Sequence, residues 1–120
     1  MSTREAEQRA FIRAWGAWRK TPLPVEHFRN GRRREPGYAV ECALDHLRSH
    51  VYSIGSAFIE ERPWDYPTLA ADRLEQLHAA ESELEEGGIP EDERAPYREY
   101  VAATRLLLHR LLACAAASPG

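Results

Sequence analysis

At 120 residues, 43% of them hydrophobic, with a net charge of −3, the chain has room for one core and not for two. Its longest apolar stretch, Leu106 to Ala117, is broken by His109 and Arg110 and falls short of the roughly 20 residues needed to cross a bilayer. Its two cysteines, Cys42 and Cys114, lack C-x-x-C spacing; they read as reduced thiols, and with no secretory leader pattern at the start they predict a cytoplasmic protein with no membrane association.

The first predicted helix runs from Thr3 to about Lys20. Ser2 and Glu5 form a capping-box pattern, and Phe11, Ile12, Trp15 and Trp18 are placed on one face. Pro22 and Pro24 end it. From Thr21 to Gly37 the chain carries three prolines and two glycines with no apolar period, which predicts an irregular arm. The arm holds His27, Phe28, Arg29, Asn30 and the run Arg32, Arg33, Arg34. Charge is polarised about this point. Residues 1–37 contain nine basic and four acidic side chains, whereas residues 38–120 contain seven basic and fifteen acidic ones. A basic front and an acidic remainder predict either attraction between the two or an acidic partner for the front. Arginine outnumbers lysine fifteen to one, which reads first as a base-composition effect on codon usage and is weak evidence for nucleic acid.

The second helix is predicted from Tyr38 to about Glu61. Val40, Leu44, Leu47, Val51, Ile54 and Phe58 recur at alternate steps of three and four, so at 3.6 residues per turn they fall on one stripe. Pro63 and Pro67 bracket a short connection, and the third helix is predicted over 67–86 with Ala70, Leu74, Leu77 and Leu84 as its seam. Gly87 and Gly88 end it. The last helix begins at Pro90 or at Pro96; a short turn followed by the main helix over 96–116 is the favoured reading, with Tyr97, Val101, Thr104, Leu108 and Leu111 inward. The short links favour antiparallel neighbours. The fold class expected is therefore all-α: a small antiparallel bundle of about four helices, forming one helical domain over residues 1–120, with a basic Pro/Gly-containing arm between the first two helices.

Candidate sites compete with simpler readings of the same residues. Cys42, His46 and His50 lie four apart beside Glu41 and Asp45, and imidazoles at i and i+4 can share a metal ion. At about 100° per residue, however, His46 and Cys42 point well away from the apolar stripe, and His50 sits nearer its edge. Glu75 and His78 form one Glu-x-x-His pair, a spacing that di-iron bundles use twice. A metal-binding bundle enzyme built on His46 and His50, or on Glu75 and His78, is thus an alternative, and the expectation is no cofactor and no stoichiometric metal. Cys42 beside Glu41 is poorly placed for a nucleophile, because a neighbouring carboxylate disfavours the thiolate. Phe28, Arg29, Arg32, Arg33 and Arg34 offer charge for phosphates and one ring for stacking, which makes nucleic-acid binding a second alternative.

The leading expectation is a small interaction protein of accessory, regulatory or immunity type, without an evident catalytic site. Trp15, Trp18, Trp64 and Tyr66 are the large amphipathic groups that protein interfaces favour. Leu, Ile, Val and Phe together make only 23 of the 120 residues, so the core is thin, and a homodimer formed through the Trp15 and Trp18 face would bury more.

Overall fold

In the computed structural model, which describes residues 3–117, every regular element is helical. Helix α1 spans Thr3–Lys20, a one-turn α2 spans Glu26–Arg29, and α3, α4 and α5 span Pro36–Ile59, Tyr66–Glu86 and Ala95–Ala116. A 3-10 turn at Glu91–Glu93 leads into α5. The four long helices match the expected ones to within two residues at either end. Pro36, Pro67 and Pro96 each occupy the first turn of a helix, where a missing N–H costs nothing and φ is already set. Asp65 caps α4 by accepting from the Thr68 backbone N–H. Ser2 lies outside the described residues, so the proposed capping box does too.

The seams point inward. Val40, Leu44, Leu47, Val51 and Ile54 of α3, Ala70, Leu77 and Leu84 of α4, and Tyr97, Val101, Thr104, Leu108 and Leu111 of α5 are all buried, with Phe58 and Leu74 packed at the edge of the same core. Helix α5 is flanked by α1 on one side and α4 on the other, and α4 by α3. Large rings close the circuit between α1 and α3: Phe11 meets Phe58 edge-on at 5.1 Å, and Trp15 lies 5.5 Å from Tyr52. Gly55 makes this possible, since a Cβ there would sit 2.1 Å from the Trp15 ring. Trp18 is covered from α5, where its Nε1 donates to Thr104 Oγ1 at 3.0 Å. The bundle is elongated, 52 × 25 × 21 Å.

Two expectations change. Ile12 is 52% exposed, because the buried positions Phe11, Ala14, Trp15 and Trp18 define a stripe from which residue 12 is turned by about 100°. The arm is also more ordered than its composition suggests. It contains α2, Leu23 is buried, and Val25 packs against the core; α3 starts at Pro36, two residues earlier than expected. No described helix is long and apolar enough to cross a membrane.

Candidate functional site

Glu41, in the second turn of α3, is fully buried. A carboxylate withdrawn from water is tolerated only with hydrogen-bonding partners, and three are supplied from two other elements. Tyr97 Oη, at the start of α5, donates to Oε2 at 2.5 Å, His27 Nδ1 of α2 lies 2.7 Å from the same oxygen, and the Phe28 backbone N–H donates to Oε1 at 2.9 Å. The other ring nitrogen of His27, Nε2, is 2.8 Å from Glu35 Oε2 at the cap of α3. Gly37 clears the space: a Cβ there would stand 2.8 Å from His27 Nδ1 and 3.1 Å from Tyr97 Oη.

The hydrogen bond to Glu41 is the main force holding the His27 pKa above its ordinary value; partial burial opposes it, the charges of Glu41 and Glu35 assist it, and Arg32 opposes it. Burial, helped by Glu41, pushes the Tyr97 phenol well up. In the protonated state His27 donates both N–H groups to carboxylates. An imidazole so engaged has no free lone pair for general-base work. The cluster is therefore a clasp. It fixes the arm to α3 and α5 beside a cleft of about 570 Å³ whose walls include His27, Arg32, Glu35, Ile89 and Tyr97.

The clasp turns one side of the arm inward and leaves the other outward. Arg32 is drawn toward Glu26 at 3.8 Å and Glu35 at 4.0 Å. Arg29, Arg33 and Arg34 are exposed and form no ion pair among the described residues. Phe28 is 40% exposed, with the half-buried Tyr38 ring 6.2 Å away.

The other sequence-derived residues are dispersed. His46 and His50 touch on the outer side of α3, Nε2 to Nε2 at 3.2 Å, and burial, then Arg73, then His46 holds the His50 pKa down. Glu75 and His78 are exposed on α4, with His78 Nδ1 3.9 Å from Glu81. Among the described residues no three His, Cys, Asp or Glu side chains converge on a metal position. Trp15, Trp18 and Tyr66 are buried within the chain's own core, whereas Trp64 is 40% exposed and stacks 6.4 Å from Tyr66. Glu41, Gly37 and Tyr97 were not singled out from the sequence as a site. The available signal was angular: Glu41 lies only about 60° from Leu44 around the helix, inside the apolar stripe.

No family model matches the chain, and neither does any curated protein or solved structure.

Proposed function

We propose that this chain is a small helical interaction protein that binds an acidic protein surface through the outer side of its arm. The observation that carries the reading is the set Arg29, Arg33 and Arg34, exposed and without internal carboxylate partners, on a segment whose inner side is clasped by Glu41. Guanidinium groups recognise carboxylates with two parallel hydrogen bonds, and an anchored arm loses less freedom on binding than a loose one. The half-exposed Phe28 beside these charges supplies apolar area. A second copy of this chain qualifies as the acidic surface, because Glu83, Glu86, Asp92, Glu93 and Glu99 are exposed on α4, the 3-10 turn and α5. Self-association would then use the arm, since α1 already has its tryptophans covered. The two thiols, Cys42 and Cys114, form no disulfide, which supports a reducing, cytoplasmic setting.

The test is titration of the full chain with a polyglutamate peptide, alongside light scattering over a dilution series. Peptide binding or dimer formation that is lost in an Arg29→Ala, Arg33→Ala, Arg34→Ala triple variant supports the proposal. Failure of both, or tighter binding of a single-stranded oligonucleotide than of the peptide by the same three arginines, rejects it; the latter result selects nucleic acid.

A further inference from the structure

Two histidines of α3 take no part in the clasp. His46 and His50 are separated by one helical turn, so both rings stand over the same side of the helix. His46 is exposed and His50 half-buried. Their Nε2 atoms lie 3.2 Å apart, whereas the ring centroids are 4.6 Å apart with an interplanar angle of 74°. The nitrogen tips are therefore the near ends of two rings that lean toward each other.

Two imidazole nitrogens this close are joined either by a shared proton, as N–H···N, or by a cation that both can ligate. With metal–nitrogen bonds of about 2.0–2.1 Å, a tetrahedral ion holds two of its ligand atoms about 3.3–3.4 Å apart. The observed separation is reached from there by a small rotation of either ring. Each ring then keeps its proton on Nδ1 and gives the Nε2 lone pair to the metal. Paired histidines at i and i+4 on one helix face supply two of the ligands in zinc sites for the same geometric reason.

The surroundings decide the class of ion. Cys42, one turn before His46, is half-buried, and Asp45 is turned to Arg48 at 2.5 Å. No third His, Cys, Asp or Glu side chain joins the pair among the described residues, so the protein supplies two imidazoles and water fills the remaining positions. Imidazole donors select zinc, copper and nickel over magnesium and calcium, which take oxygen ligands. Arg73 of α4 is the positive charge acting on His50; its Nη1 is engaged by Gln76 Oε1 at 2.8 Å. That charge lowers the affinity for a cation, while the exposed His46 keeps the approach from solvent open.

We propose that His46 and His50 form a surface chelate for one divalent cation of the zinc class. The ion ties two consecutive turns of α3 together. With only two protein ligands it exchanges with solution, so the site fills when metal is supplied. The pair lies outside the arm and its clasp, so failure of this site and failure of the interaction reading are separable.

The experiment strips the full chain with a chelator and titrates it with zinc, nickel and magnesium chlorides at neutral pH, read by calorimetry. One zinc or nickel ion per chain is expected, with no saturable heat from magnesium, and the thermal midpoint should rise with added zinc. His46→Ala and His50→Ala should each weaken zinc about tenfold or more, because either change turns a chelate into a single ligand. His78→Ala and Cys42→Ser should leave zinc affinity unchanged, and polyglutamate binding should survive in all four variants. His46→Ala, at an exposed position, keeps the test decisive if His50→Ala perturbs the fold. No saturable zinc or nickel binding at millimolar concentration, or an affinity unchanged in His46→Ala, would overturn the proposal. So would loss of binding in Cys42→Ser, which would move the site to the thiol.

Discussion

His27 is the residue whose chemistry is most exposed to solution conditions. It is faced by Glu41 from α3, by Glu35 at the cap of that helix, by Tyr97 nearby on α5 and by Arg32 within the arm. Its pKa is raised on folding, so the clasp's contribution to stability is complete below the ordinary histidine value of 6.5 and is lost as pH rises through the elevated folded value. The arm should therefore loosen as pH rises above 6.5 through that raised value. Hydrogen exchange of the amides at 26–34, measured from pH 6 to 9 and corrected for intrinsic rates, should show falling protection, and His27→Gln should flatten the profile. His50 titrates with the opposite sense. Its pKa is lowered, so its contribution falls as pH drops below 6.5, in a separate window. A second residue-scale test concerns Thr104. It accepts the Trp18 indole N–H in a buried site, and Thr104→Val should cost about 1–3 kcal/mol by leaving that donor unpaired, measured by denaturant titration. The sequence placed Thr104 on the inward seam, but a distant indole partner, 86 residues away, leaves no trace in local spacing.

The elements themselves were largely legible because their evidence is local. Steps of three and four from Val40 to Phe58 specify a helix and its buried face together, and proline at the first turn of α4 and α5 marks two starts. The arm was not legible for the opposite reason. Its order comes from one buried carboxylate on α3 and one phenol on α5, neither adjacent to it in the chain. The packing of α1 against α3 likewise depends on a detail that periodicity does not encode, the notch at Gly55 that admits the Trp15 ring. Gly55→Ala raises helix propensity by about 1 kcal/mol, yet the added methyl group meets a rigid indole, and overpacking of this kind costs about 1–3 kcal/mol. A net loss of stability, seen as a lower denaturant midpoint with an unchanged slope, is the expected outcome. A net gain would mean that Trp15 is not held against α3. Leu47→Ala, at the centre of the same seam, should cost about 2–5 kcal/mol.

At the scale of the whole molecule, opposite charges are partly satisfied internally and partly displayed. Arg98 joins Glu85 of α4 to Glu91 of the 3-10 turn, and Arg105 pairs with Glu81 across the α4–α5 seam. The displayed remainder includes the outer side of the arm and the acidic residues around the 3-10 turn. Two routes to self-association follow, and they differ physically. Exchange of α1 would replace the contacts of Phe11, Trp15 and Trp18 with the same contacts from a second chain, giving a tight dimer whose unfolding midpoint rises with concentration. Association through the arm would rest on exposed charges, with the core of each chain closed. Since those tryptophans are already covered from α3 and α5, the second route is the one expected. Light scattering should then show association at low ionic strength that fades as the screening length contracts below about 10 Å. The unfolding midpoint in about 0.15 M salt should not change with protein concentration. Acrylamide should quench mainly Trp64, the one exposed tryptophan of the three, and Trp64→Phe should remove most of the accessible emission. A salt-resistant dimer with a concentration-dependent midpoint would instead establish exchange of α1 and would take the arm out of self-association.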